Sequence, residues 1–430
     1  MSRWSVRAGV AVLLRGAATA TAWPRRLAAT AALVLLAATG PVPAQSVLDF
    51  GADEIARIAL HGPWPPAPQR DPSNRVEGRP AAVAFGRTLF FDRRLSADAS
   101  MSCASCHRPE RAFQDGQAVA RGRGAGVRNT PTLLDVAQHR WFGWDGAHDS
   151  LWAASLAPLL AEAEMGQRLD TLAARVRGDA DLAAGYRAAF GQPPGADDER
   201  IAVDLAKALA AYQATLVSAR TPFDDFRDAL VRGDRVRAAR YPLAAQRGLR
   251  LFVGEARCSV CHHGPAFTNG EFADIGVPFF VPGGVDAGRH RGLQALLASR
   301  MNRLGPFNDA GAGDPRAVGT RHVQIEHRHF GEFRVPGLRQ LVRTAPYMHA
   351  GSLATIEDVV RHYSELNEER LHADGERILR RLDLTPQQAE DLAAFLRSLS
   401  TVSTPGVGPD RPEARGASTR MSGPEQVEHR

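Results

Sequence analysis

Sulfur is scarce in this chain: 430 residues contain four cysteines, Cys103, Cys106, Cys258 and Cys261, in two close pairs. That scarcity narrows their chemistry to a structural zinc ion, a disulfide or redox pair, or covalent haem. Lysine is scarcer still. Of 53 basic residues only Lys207 is a lysine, a bias toward arginine that carries no functional reading. Strand signals are sparse, which points to a mainly helical fold. Net charge is missing as well. Five arginines and no acid fall in residues 1–44, and the remainder carries 48 basic against 47 acidic residues, a formal +1. No nucleic-acid-binding face is implied.

The cysteines stand in two matching pentapeptides, "CASCH" (Cys103 to His107) and "CSVCH" (Cys258 to His262). A zinc site built from four thiolates leaves the residue after each pair free to vary, and so does a disulfide or thioredoxin-like pair. Here both pairs are followed by histidine. With 14 histidines in 430 residues, chance gives that about 0.1 % of the time. A c-type haem explains every residue, because two cysteines three apart reach the two vinyl groups and the next residue offers its imidazole to the iron. The motifs therefore predict two covalent haems, with His107 and His262 as proximal ligands.

Haem attachment of this kind needs an exported chain, and the N-terminus reads as an address. Basic residues precede an apolar run, "LAATAALVLLAATG" (Leu27 to Gly40), and "VPA" ends at Ala44 as a small-residue cleavage site. The run is too short to span a bilayer comfortably. Residues 1–44 are read as a cleaved signal peptide, the location as periplasmic, and no stable membrane insertion is expected.

An internal repeat divides the rest. Gly86-Arg-Thr-Leu-Phe90 precedes the first haem motif and Gly248-Leu-Arg-Leu-Phe252 the second; "AFQDG" and "AFTNG" follow them. Further on, Pro131 leads to Gly146 and Pro336 to Gly351, each after 15 residues. The expected architecture is mainly α, two tandem cytochrome-c-like haem domains related by internal duplication, at 45–235 and 236–402. Residues 168–190 and 198–230 have the apolar spacing of amphipathic helices. Residues 281–320 read as a long loop with one short helix near 293–299, and 403–430 as a disordered tail.

A carrier haem has both axial positions filled by protein, whereas an enzyme haem keeps one open. After the first motif, residues 108–138 contain no histidine and no methionine. His139 and His148 flank "WFGWDG" and read as ordinary polar residues, so the first iron is expected to be open. An open iron becomes a peroxidase site if an acid can move the proton of hydrogen peroxide from the near oxygen to the far one. "LWAASLAPLLAEAEMGQ" offers Glu162 and Glu164, and composition alone favours a solvated helix face for both.

The motifs "LFFDRRLS", "CASCH", "RNTPTLLDV", "WDG", "PLLAEAEMG", "CSVCH", "FRVPGLRQL" and "TAPYMHAGSLATIEDVV" resemble, in that order, the bacterial di-haem cytochrome c peroxidase and MauG superfamily. The resemblance spans roughly residues 81–400. It implies a peroxidase whose first haem is the peroxidatic one. Its distal acid-base group lies twenty residues after the "WDG" tryptophan, which places it at Glu164. Trp144 matches the tryptophan between the two haems, where an indole eases electron transfer; by residue type alone Trp141, Trp144 and Trp152 read alike as core. The resemblance also implies a calcium ion held by Asn129 and the backbone carbonyls of Thr344 and Pro346, an all-oxygen set suited to a hard cation.

Four departures narrow the class. Members that require reductive activation carry a histidine in the loop after the first motif; the matching "VARGRGAGV" (119–127) has none, which implies reaction with peroxide without prior reduction, as in MauG-like members. Those members also place methionine over the second haem, where this chain has Tyr363. Phenolate is a hard anionic donor that favours oxidised iron; Met348 is the competing ligand. Ala154 replaces a common distal glutamine. Ala256 stands where MauG has a surface tryptophan for oxidising its partner. The expected partners are hydrogen peroxide and either a small redox protein (a cytochrome c or cupredoxin) or a partner protein substrate. The alternatives are a MauG-like oxidase that modifies a partner protein and a non-catalytic di-haem electron carrier.

Overall fold

A computed structural model describes residues 46–401, apart from 282, 283 and 376. The expected signal peptide (1–44) and tail (403–430) lie outside the described residues.

The first helices are α1 (Ala52–Ala59), α2 (Pro80–Phe91), the single turn α3 (Cys103–Cys106), α4 (Leu151–Leu160), α5 (Leu169–Gly178), α6 (Ala180–Phe190) and α7 (Asp198–Gln213). They are followed by α8 (Pro222–Val231), α9 (Arg235–Ala238), α10 (Leu243–Val253), α11 (Arg289–Ala298), α12 (Ala317–His322), α13 (Ile356–Ser364) and α14 (Pro386–Ser398). Among the described residues, strands are two residues long and form two antiparallel pairs. β1 (Phe272–Ala273) pairs with β4 (Phe333–Arg334), and β2 (Phe280–Val281) with β3 (Gly284–Val285). The fold is mainly α, as the sequence predicts. Each segment expected to be helical splits in two. Asp179 ends α5 and caps α6 through its own carboxylate, which accepts from the N–H groups of Asp181 and Leu182. Thr221 and Pro222 restart the chain as α8.

The repeat becomes a repeated helix crossing. α2 packs on α7, and α10 packs on α14. At each crossing the repeat glycine lets two backbones meet: a Cβ on Gly86 would run into the carbonyl oxygen of Ala208, and one on Gly248 into that of Asp391.

Buried apolar side chains form two large clusters. One gathers Phe85, Leu89, Phe90, Trp152, Leu172, Tyr186 and Leu209. The other gathers Leu249, Phe252, Phe267, Val360 and Phe395, with Ile58 of α1 and Phe223 and Phe226 of α8. Segment 281–320 is less loose than its composition suggests. Its helix α11 begins four residues before the expected start, and Phe307 enters the first cluster. Arg303 forms buried ion pairs with Asp71 (2.7 Å) and Asp314 (2.8 Å). The single lysine fixes the same segment. Lys207 is fully buried, and its Nζ donates to the carbonyl of Phe307 and to Asp309, each at 2.6 Å.

Candidate active site

The first motif folds as the one-turn helix α3, whose start is stabilised by Ser105 Oγ accepting from the Ser102 N–H at 3.0 Å. Positions i and i+3 of a turn share a face, so Cys103 and Cys106 point the same way. All four cysteines are free thiols and stand in for the thioether sulfurs of the attached group. His107 then leaves the helix, and its Nδ1 is held by the Phe113 carbonyl at 3.0 Å. The second motif repeats this arrangement: His262 Nδ1 is held by the Phe267 carbonyl, again at 3.0 Å. A ring fixed through Nδ1 keeps Nε2 for a metal, the usual arrangement of an orienting carbonyl behind a ligand histidine. Burial lowers the pKa of both imidazoles, which keeps them neutral as ligation requires. The residues fit two c-type haems.

Beside the second motif lies a cavity of about 1480 Å³, larger than an ordinary ligand pocket. Cys258, Cys261 and His262 line it, and so do Tyr363 and Met348. Tyr363 sits on α13 and is half-buried. Its phenol pKa is raised, first by burial and then by the Cys258 and Cys261 sulfurs, which line the same cavity.

Glu164 is not on a helix face. α4 stops at Leu160, and the chain folds back on its end: the N–H of Met165 donates to Pro158 O (3.1 Å) and that of Gln167 to Leu159 O (2.8 Å). Buried Met165 anchors this turn. Loop 119–127 lies along it. The N–H groups of Arg123 and Gly124 donate to the carbonyls of Glu164 (3.3 Å) and Ala163 (2.8 Å), while Arg121 O approaches Cys106 Sγ at 3.8 Å. Gly122 is required there, because a Cβ would meet Ala163 O at 2.5 Å and the Glu164 Cα at 2.8 Å. Glu164 is exposed, yet the protein packed around its carboxyl raises the pKa. The thiols of Cys103 and Cys106 both feel the Glu164 charge, so the carboxyl lies near the motif.

The three tryptophans separate by position. Trp152 is fully buried in the first cluster, with Nε1 donating to Ser73 Oγ at 2.9 Å. Trp141 packs on Leu293 and Leu296. Trp144 is half-exposed on the cavity wall, its Nε1 donating to the Asn129 carbonyl at 2.8 Å. Asn129, Thr344 and Pro346 line the same cavity. The Asn129 N–H donates to His349 O at 2.7 Å, and Gln114 Nε2 donates to the carbonyls of Arg343 and Ala345, both at 3.2 Å, which joins the two stretches. His139 lies on this wall too, against Arg334. Ala154 belongs to α4 and packs against the first cluster.

Sequence reasoning missed Arg128. Its guanidinium bonds Asp286 at 2.6 and 2.7 Å and Asp145 at 2.6 Å, tying the Trp144 loop to the segment before α11. Only its position beside Asn129 hinted at a role.

Two haem-attachment motifs in a duplicated helical frame define a di-haem c-type cytochrome. Comparison with known proteins agrees. The family profile described as di-haem cytochrome c peroxidase matches residues 80–232. The methylamine utilization protein MauG of Methylorubrum extorquens is 35% identical over 324 residues, covering 74% of this chain and 78% of the relative. The cytochrome-c peroxidase IdrP1 of Denitromonas iodatirespirans is 35% identical over 350 residues, covering 80% and 87%. A crystal structure of a MauG-like protein associated with microbial copper homeostasis superposes with a TM-score of 0.59 at 28% identity, over 80% of this chain and 98% of that one. The di-haem peroxidase BthA of Burkholderia thailandensis shares the fold, with a TM-score of 0.60 at 24% identity over 77% and 89%. The chain belongs to the di-haem cytochrome c peroxidase and MauG family. It is a peroxidase that carries two c-type haems. Among the described residues no helix is long and apolar enough to cross a membrane.

Proposed function

We propose that this chain is an exported, periplasmic peroxidase of MauG-like type, active from its resting state, with the site for hydrogen peroxide beside the first motif. Each haem, when bound through its cysteines and His107 or His262, supplies an iron that exchanges electrons with peroxide or with its partner haem. The chain's own residues do the rest. Glu164 accepts the proton from the near oxygen of peroxide and returns it to the far oxygen, so that water can leave. Reduction of one peroxide to two waters takes two electrons and two further protons. Trp144 provides the route for electrons between the halves, and Asn129, Thr344 and Pro346 hold a calcium ion that keeps the halves in register. Tyr363, in preference to Met348, would be the side chain that the second unit offers to the iron besides His262; burial raises its phenol pKa, so binding would have to draw the proton off. The electrons come from a small redox protein, a cytochrome c or cupredoxin.

One observation carries the reading. Loop 119–127 links the Glu164 turn to the Cys103–His107 motif through its contacts with Ala163, Glu164 and Cys106, and it contains no histidine. Stopped-flow absorption of resting, fully ferric protein mixed with hydrogen peroxide tests it. A fast spectral change without added electrons is expected; two low-spin haems indifferent to peroxide would instead mark an electron carrier.

A second reading, oxidation of a side chain in a partner protein, draws support from the likeness to MauG. Against it stands Ala256, a buried residue with no oxidisable side chain.

A further inference from the structure

Four arginines lie around the Trp144 loop and the second-motif cavity with little exposure, and three of them have evident compensation. Arg128 is paired with Asp145 and Asp286. Arg339 is paired with Asp224 through two bonds, at 2.8 and 3.0 Å. Arg289 has no ion pair among the described residues, but it is stacked on the rings of Phe272 (3.9 Å) and Trp141 (4.5 Å), and the charges of Glu271, Asp145 and Glu332 offset part of its burial.

Arg334 differs. It is 6% exposed and lines the cavity, and its guanidinium touches only neutral groups: Nε donates to Gly143 O at 3.2 Å, and Nη1 meets the His139 ring at 3.2 Å. Among the described residues no carboxylate comes within ion-pair distance of it. Burial alone lowers its pKa to about 10. A guanidinium remains charged at neutral pH even so, and a buried cation without an anion is costly. The side chain is therefore built for an anion that arrives with a ligand. His139 cannot supply one: an imidazole is neutral or cationic, and burial and Arg334 itself hold this one neutral.

The position in the repeat says where that anion comes from. Arg334 stands two residues before Pro336, as Asn129 stands two before Pro131. The two residues grip the same tryptophan: Trp144 Nε1 donates to the Asn129 carbonyl, and the Arg334 N–H donates to the Trp144 carbonyl at 2.8 Å. A group bound to the Arg334 guanidinium thus sits one residue from the indole.

We propose that Arg334 is a carboxylate-binding site, and that its ligand is a propionate of the haem attached at Cys258 and Cys261. This rests on the placement of that haem in the cavity. Alkyl carboxylate and guanidinium match in charge and in fork geometry. The pair neutralises the buried cation, and through the Gly143 and Trp144 carbonyls it sets the position of the Trp144 loop. Arg334 is a positioning residue, with a direct electrostatic hold on one haem.

Potentiometric titration of the holoprotein tests this, with haem number fixed first by mass spectrometry. Arg334→Gln should lower the reduction potential of the second haem and leave that of the first unchanged, because removing a cation favours ferric iron. In the variant that potential should also rise as pH falls, when the propionate freed from Arg334 takes up a proton. Wild type should lack this dependence. Arg334→Lys, which keeps the charge without the fork, should restore the potential in large part and separate charge from loop packing. The proposal is overturned if Arg334→Gln leaves the potential and its pH dependence unaltered, if Lys shifts the potential as far as Gln, or if wild type responds only when acetate is added, which would mark a site for free anions. A single attached haem by mass would fail the placement of the second haem and leave a distinct signature.

Discussion

On the proximal side the two units are near copies. His107 leans on the Phe113 carbonyl as His262 leans on that of Phe267, and Gly86 and Gly248 open the same helix crossing. Across from the motifs they part. The first unit has a carboxylate, Glu164, near its motif, beside a loop that lacks histidine; the second has a phenol, Tyr363, on the cavity wall with Met348. Duplication kept the parts that hold a cofactor. Divergence worked on what stands opposite, where a change of one side chain alters the chemistry and leaves the helix packing alone.

The sharpest way to break this comparison is at Glu164. Glu164→Gln should slow peroxide cleavage about 100-fold or more with both haems still attached, as measured by stopped flow. The raised pKa adds a sign. Glu164 must be ionised to accept the peroxide proton, so the wild-type rate should fall on acidification through a pKa above the usual glutamate value, and the variant should lose that limb. An unchanged rate would leave Glu164 without a catalytic part.

Tyr363→Met asks whether the second unit owes its character to the phenol. The second haem's potential should rise, since methionine favours ferrous iron, and the protein should come to need prior reduction before it reacts with peroxide. A methionine-to-iron charge-transfer band in the unaltered protein would assign the ligand to Met348.

A backbone change should do less. Gly122→Ala drives a methyl into the Ala163 carbonyl and the Glu164 backbone, displacing the turn. About a 10-fold loss in peroxide rate and about 1–3 kcal/mol in stability are expected, with the second haem's potential unmoved. Equal losses in both units would deny that loop 119–127 serves the first alone.

The smallest expected effect links the units. Chelation of calcium should perturb both haem spectra together, because Asn129 comes from one unit and Thr344 and Pro346 from the other. Spectra and activity indifferent to chelator would remove the ion.

The proximal half of each site was legible because its geometry is local: a pentapeptide and a carbonyl five or six residues away. The helices were legible from apolar spacing, and the family pattern pointed to Glu164 and Trp144. Other features depend on partners far along the chain. Arginine is the common residue here, so nothing marked Arg128, Arg303 or Arg334 until folding brought Asp286, Asp71 or the cavity beside each. The same holds for α1 and α8, whose spacing shows an apolar face but not that it completes the second cluster. His139 read as an ordinary polar residue; its contact with Arg334 spans 195 positions.

Lys207 gives this chain an internal reporter. It is the only lysine, its side chain is sealed between α7 and the 307–309 stretch, and its ammonium is held by Asp309. Amine-acylating reagents therefore meet, chain terminus aside, no reactive nitrogen while the fold is closed. Acylation of Lys207, followed by mass spectrometry, counts the moments when that stretch swings clear of the helix. The breathing of one seam can be timed at a native side chain, with no residue substituted.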